Sequence, residues 1–375
     1  MIPFNRPTVA PRQMEYMTEA LAGQISGDGP FGRKAEKLLE AATGATRALC
    51  TTSCTHALEM SALLLDIQPG DEVIVPAFTF VSTVNAFALR GARPIFCDVR
   101  ADTLNLDEAL VRERITDRTR AILPVHYAGV GCEMDDLLAM SRAGGQDIAV
   151  VEDNAHGLFG SYRGRPLGSF GAMATQSFHE TKNFSCGEGG ALLVNDAALA
   201  ERAEILREKG TNRTKFFRGQ VDKYTWVDVG SSWVLSDILG AALLAQLEAR
   251  ASIQERRQRI WERYAAGLAD WAIARGVRLP IVPAHCEQSF HMFYLLCPDL
   301  ERRTAFIEQL GAADVKAVFH YQPLHRSPMG ERLGVSGSEC PVTERAADTL
   351  VRLPFYADLS AADQDRIIET IRQAL

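Results

Sequence analysis

Short runs of β-branched and apolar residues alternate with stretches of helical periodicity through the first two-thirds of this chain. "DEVIVP" (71–76), "ARPIFCDV" (92–99), "TRAILPVHYAG" (119–129) and "DIAVVEDNAH" (147–156) read as buried strands ending in proline, glycine or polar residues. "EKLLEAAT" (36–43), "HALEMSALLLDI" (56–67), "DEALVRERI" (107–115) and "EMDDLLAMSRAG" (133–144) carry apolar residues at helical spacing between them. Strands separated by helices of this length predict an α/β fold with a large, mostly parallel sheet. Ligands of such folds bind at the carboxyl ends of the strands. From residue 236 the character changes. "SDILGAALLAQLEARASIQERRQRIWERYAAGLAD" predicts one long helical stretch leading out of a large domain, 1–245, into a smaller α/β domain, 246–375. The second domain is expected to hold strands at "SFHMFYLLC" (289–297) and "AVFHYQP" (317–323), with helices at "RRTAFIEQL" (302–310) and the C-terminus.

Composition removes several classes of function. The 375 residues suffice for a large core, and 47% hydrophobic with 23% charged residues is ordinary for a globular chain. A net charge of −7 gives no overall attraction to nucleic acid or to an anionic membrane. The first 17 residues lack the apolar core of an export signal, and no run approaches the roughly 20 apolar residues of a membrane span. A soluble, cytoplasmic protein is expected. The eight cysteines are scattered with no C-x-x-C pair, which favours free thiols over disulfides or a metal site.

Four elements carry chemistry. Lysine is scarce, seven against thirty-three arginines, yet Lys182 stands between "AMATQSFH" and "GEGGALLVND", two predicted strands. A lysine alone is usually a surface charge. On a turn between buried strands it is desolvated, which lowers its pKa and frees the amine for Schiff-base chemistry. Asp153 ends the run "IAVVED", where a parallel strand delivers side chains to the ligand edge. Alone it reads as a loop acid or helix cap; beside a ligand it is a carboxylate for a cationic ring nitrogen. "TTSCTHALEM" (51–60) places small hydroxyl residues directly before a helix, a phosphate site or a simple cap. "PAFTFVST" (76–83) offers Phe80 as a flat apolar face, or as ordinary core. Together they describe a pyridoxal phosphate (PLP) site.

These motifs also carry a family resemblance. From "IPFNRP" through "GDEVIVPAFTFVSTVNAF", "PVHYAG", "VEDNAH", "SFHETKN", "GEGGALLVND" and "FHYQPLH", the chain resembles the DegT/DnrJ/EryC1/StrS sugar aminotransferases. That resemblance implies fold type I, the aspartate aminotransferase-like fold. "HETKN", "EKGTNR", "FFRGQVDKYTW" and "VGSS" most resemble the branch that aminates dTDP-4-oxo-6-deoxyglucose, the dTDP-4-amino-4,6-dideoxygalactose transaminases. Carried onto this sequence, the resemblance makes Lys182 the Schiff-base residue and Asp153 the partner of the pyridine nitrogen. His156 then lies near the ring and Phe80 stacks on it. Ser53, Cys54, Thr55 and Ser177 hold the phosphate. It further implies a homodimer in which a Gly-x-Asn-x-Arg-Met segment reaches into the neighbouring site. That segment here reads "GSSWVL" (230–235), with Ser232 in the place of the asparagine.

The reaction implied is transfer of an amine from glutamate to a nucleotide-linked 4-oxo-6-deoxy sugar. Arg213, Lys215 and Arg218, in the basic segment 207–223, are candidates for the sugar nucleotide's diphosphate, or a solvated loop. His320, Tyr321 and His325 of "FHYQPLH" are candidate sugar or donor contacts. Three other readings stand beside this one. A 3-oxo-sugar aminotransferase uses the same machinery. A dehydratase of the superfamily typically has histidine where Lys182 stands. A catalytically silent nucleotide-sugar-binding module would not need the Asp153/Lys182 pair.

Overall fold

The strands predicted in the first two-thirds of the chain form, and their pairing follows from their two-sided apolar sequences. A computed structural model describes residues 1–143, 148–333 and 339–374; Gly144 and Asp147, ends of two predicted elements, lie outside the described residues. Seven strands make the main sheet: β1 (Arg47–Thr51), β2 (Glu72–Pro76), β3 (Arg93–Cys97), β4 (Thr119–Ile122), β5 (Ala149–Asp153), β6 (Met173–Ser177) and β7 (Gly190–Val194). Their order across the sheet is β1-β7-β6-β5-β4-β2-β3, and β7 alone runs antiparallel to its neighbours.

Successive residues of each strand enter opposite layers, the period-two rule of a pleated sheet. Ala48, Cys50, Ala174, Ala191 and Leu193 face a layer built on helices Gln13–Ala22, Pro30–Thr43 and Asp237–Glu248. Leu49, Met173, Leu192 and Val194 face the other, against helices Cys54–Leu64, Val81–Ala88 and Ala197–Arg207. Ile74, Ile122 and Val150 cover helix Met134–Ser141. Burial on both faces is why these strands read as continuous apolar runs rather than as alternating ones.

The expected long helix is two helices, Asp237–Glu248 and Arg250–Arg275, joined at Ala249. The core changes along the second. Ile253 still belongs to the sheet's layer, whereas Ile260, Tyr264, Leu268 and Trp271 belong to a separate core with Phe293, Phe306 and Ile367. Ile2 joins that separate core: its N–H donates to Asp314 at 2.7 Å, and Phe4 accepts from Phe355 at 3.1 Å. A division at residue 245 therefore misplaces the first residues, which pack with the C-terminal unit.

Two predicted strands of that unit shrink. Only β8 (Tyr294–Leu296) forms within "SFHMFYLLC", paired antiparallel with β9 (Leu350–Arg352). Phe290 sits at φ 52, the left-handed region, which breaks the extended run before it. "AVFHYQP" is irregular except for one pairing of Val318 with Arg352, because β9 offers only three residues to pair with. No helix among the described residues is long and apolar enough to cross a membrane. All eight cysteines are free thiols.

Candidate active site

The carboxyl ends of β1, β2, β5 and β6, with the start of β7, surround a cavity of about 590 Å³. Ser53, Cys54, Thr55, Phe80, Asp153, His156, Ser177, Lys182, His320 and Tyr321 all line it. All but His320 and Tyr321 stand at or just after the end of an apolar strand; those two lie on the irregular segment 317–323.

At one end stands helix Cys54–Leu64. Ser53 is its N-cap, and its hydroxyl accepts from the His56 N–H at 3.1 Å. The first turn of a helix leaves N–H groups without intrahelical partners and carries the positive end of its dipole, so Cys54 and Thr55 present an anion site. Thr55 and Ser82 share a hydroxyl hydrogen bond of 2.8 Å. Burial pushes the Cys54 thiol up to about 12, with Asp153 adding to the shift, so it stays protonated. Ser177 pairs in register with Gly190 beside this turn. Gly190 has a steric reason: a Cβ there would lie 2.4 Å from the Cys54 nitrogen. Gly190→Ala is therefore expected to push β7 off the helix end, costing about 1–3 kcal/mol in urea unfolding and weakening coenzyme affinity in fluorescence titration.

Asp153 ends β5 and is 5% exposed. Its Oδ2 accepts from the Thr83 hydroxyl at 2.7 Å, and its Oδ1 from the Ala155 N–H at 3.2 Å. Thr83 gives its one proton to the carboxylate, so it accepts from Thr79, 2.8 Å away. The carboxylate is thus held in place with acceptor capacity left for a cation in the cavity. Phe80 caps helix Val81–Ala88 and is 56% exposed, an apolar ring left on the cavity wall.

Lys182 lies on the turn after β6, its N–H bonded to the His179 carbonyl at 2.9 Å. It is half-buried and opens on the cavity. Burial lowers its pKa from the usual 10.5 to about 8, although Cys54 and Asp153 pull the other way. The unfolded chain holds the lysine proton up to about pH 10.5, whereas the folded one releases it near 8. Capture of added coenzyme by coenzyme-free protein, followed by stopped-flow absorbance, should therefore be half-maximal near pH 8. Below that it should fall about tenfold per pH unit, as the free-amine fraction does.

The opposite wall is a stack of rings. His156 lies on His291 with centroids 4.1 Å apart, and His320 shares a 2.9 Å hydrogen bond with the Tyr127 hydroxyl. Burial holds all three histidines well below the usual range, so they are neutral. Asn183 donates to the Ser289 carbonyl at 2.7 Å and accepts from His291 Nδ1 at 2.9 Å, which fixes the residue next to Lys182. His156 Nδ1 is buried with no partner among the described residues. A helix N-terminus for phosphate, an exposed ring, an anchored carboxylate and an orphaned ring nitrogen fit PLP.

Some candidates fall elsewhere. His325 bonds Glu344 at 2.9 Å and does not line the cavity. Arg213, Lys215 and Arg218 also lie away from it, each paired with an acid of the preceding helix region: Glu208 at 3.5 Å, Glu201 at 2.7 Å and Glu204 at 2.8 Å. Ser232 is exposed, pairs with Glu208, and is not in its own chain's cavity. The sequence reading missed His291, Glu188 and Arg352, which do line it. Cys186, without an evident role in sequence, has one here: it hydrogen-bonds the Glu188 carbonyl at 3.4 Å, and a Cβ at Gly189 would lie 2.5 Å from its sulfur.

This sheet, this smaller second unit and this site define a PLP-dependent transferase of fold type I. Residues 7–372 match the DegT/DnrJ/EryC1/StrS aminotransferase family, and the chain belongs to that family. It is thus a PLP-dependent aminotransferase. It is 30% identical to the spore coat polysaccharide biosynthesis protein SpsC of Bacillus subtilis, over 99% of this chain and 96% of that protein. Among solved structures it is similar to Spr1654 of Streptococcus pneumoniae in its PMP form (TM-score 0.92, 28% identity, 100% of this chain and 98% of that one). It is also similar to the sugar aminotransferase CalS13 of Micromonospora echinospora (TM-score 0.89, 26% identity, all of both chains).

Proposed function

We propose that this protein transfers an amine from L-glutamate to dTDP-4-oxo-6-deoxy-D-glucose, releasing 2-oxoglutarate and a dTDP-4-amino-4,6-dideoxyhexose of galacto or gluco configuration. The observation that carries the transaminase chemistry is Lys182, with a depressed pKa, in one cavity with the anchored carboxylate of Asp153. The similarity to CalS13, a sugar aminotransferase, and to SpsC, a polysaccharide biosynthesis protein, supports a sugar acceptor. The stretches "HETKN", "EKGTNR" and "FFRGQVDKYTW" support the 4-oxo-6-deoxy branch.

PLP, when bound, supplies an electrophilic carbon and a ring that accepts the electrons of a carbanion. The protein residues do the rest. Ser53, Cys54, Thr55 and Ser177 would hold its phosphate, Phe80 and His156 would contact its ring, and Asp153 would keep the ring nitrogen protonated. Lys182 Nζ would anchor the coenzyme, take the proton from the donor's α-carbon, and later deliver one to C4 of the sugar. The face of that delivery decides galacto or gluco.

The segment 211–229 exposes Phe217, Tyr224, Trp226 and Val229. Such an apolar arm supports a homodimer in which Ser232 and the nearby cations serve the neighbouring site. The test is incubation with dTDP-4-oxo-6-deoxyglucose and glutamate and product assignment by NMR. A 4-amino sugar supports the reading. A product from a 3-oxo sugar only, or none, overturns it.

A further inference from the structure

Several polar side chains on the cavity wall are already paired. Thr55 shares a hydrogen bond with Ser82, Thr79 with Thr83, and His320 with Tyr127, at 2.8, 2.8 and 2.9 Å. His179 and Glu188 also line the cavity, yet they face each other without meeting. His179 Nε2 lies 3.6 Å from a Glu188 carboxylate oxygen, too far for a hydrogen bond. Neither Nε2 nor the carboxylate has another hydrogen-bond partner among the described residues.

The pair is held from behind. The Thr181 N–H donates to His179 Nδ1 at 3.3 Å, and the Thr181 hydroxyl lies 2.9 Å from the same nitrogen. Nδ1 therefore accepts, and the ring hydrogen sits on Nε2, the nitrogen turned toward Glu188. His179 pairs with Gly187 along the backbone, which sets Glu188 beside it. The His179 carbonyl in turn accepts from the Lys182 N–H at 2.9 Å, so the pair flanks the turn that carries the reacting amine.

A donor and an acceptor at this spacing make a fork for one atom that can serve both. A hydroxyl oxygen accepts from Nε2–H and donates to the carboxylate. The charged groups of an amino-acid donor do not fit: a carboxylate is repelled by Glu188, and an ammonium has no lone pair for Nε2–H. We propose that His179 and Glu188 form a subsite for the sugar hydroxyl next to the reacting carbonyl. In dTDP-4-oxo-6-deoxyglucose that is the hydroxyl on C3, since the other neighbour, C5, bears the ring oxygen. The pair therefore serves the half of the reaction that begins with a sugar and is idle in the half that begins with an amino acid.

This assignment rests on the proposed nucleotide-sugar acceptor, and two measurements separate them. The first is calorimetric binding of dTDP-glucose, which has no reactive carbonyl, and of its 3-deoxy analogue to the coenzyme-loaded protein. The second is single-turnover kinetics of each half-reaction. Wild type should bind dTDP-glucose at least tenfold more tightly than the 3-deoxy analogue, and Glu188→Ala should bind the two alike. In Glu188→Ala, kcat/KM for the sugar should drop about 10- to 100-fold, the loss of a charge-assisted hydrogen bond, with the donor step within about threefold of wild type. Glu188→Gln keeps an acceptor oxygen and should recover part of the sugar step. Wild type that binds both sugars alike, or neither, would overturn the assignment. So would a Glu188→Ala protein that keeps the preference, or one that loses equally in both halves. Wild type that prefers dTDP-glucose through Glu188 but aminates no oxo sugar would sink the acceptor reading alone.

Discussion

Lys182→Ala protein should still bind coenzyme yet lose turnover by about four orders of magnitude. The residue supplies both the covalent anchor and the proton transfer at the donor's α-carbon, and general base catalysis alone is worth up to about 10⁴-fold. Borohydride treatment followed by mass spectrometry distinguishes the outcomes. Wild type should keep a coenzyme-sized adduct on the peptide containing Lys182, and the variant none. Stability should hardly change, because the side chain is half-buried and makes no hydrogen bond among the described residues. Retained transamination in Lys182→Ala would contradict the role given to this lysine.

Asp153→Asn should lose about a thousandfold in kcat at nearly unchanged stability. Asparagine keeps the volume, and its carbonyl still accepts from Thr83 where Asp153 now does at 2.7 Å. What it lacks is the charge that holds a proton on a ring nitrogen, and removing preorganised electrostatic stabilisation costs about 10²–10³ in kcat. Asp153→Ala is the contrasting variant. It also removes the acceptor that the buried Thr83 hydroxyl now uses, leaving it only Thr79, and should cost a further ~1–3 kcal/mol in chemical unfolding. Full activity in Asp153→Asn would exclude a charged contact.

The first unit was legible because its site residues follow strand ends. Asp153 closes "IAVVED" and Ser177 closes "MATQS", so the direction of each parallel strand already says which end meets a ligand. Lys182 was readable from its place between two strands. The second unit gave no such rule. His320 and His325 lie five residues apart on irregular backbone, where no period says which one faces inward. The answer lies in Tyr127 and Glu344, residues distant in sequence that hold them. Arg352 was invisible for the same reason: what brings it to the cavity is the pairing of β9 with β8, a property of the fold. The basic segment misled because Glu201, Glu204 and Glu208 come from the preceding helix and its end, and only folding brings them against Lys215, Arg218 and Arg213.

The pairing of Ile2 with Val315 reaches beyond architecture into biogenesis. Ile2 cannot find its place on a ribosome until Asp314 and Val315 have emerged. The seven-stranded sheet can close beforehand, since its last strand ends at Val194. Until then Ile2 and Phe4 remain without their native neighbours, and Arg352, farther along the chain, meets the Phe4 ring later still.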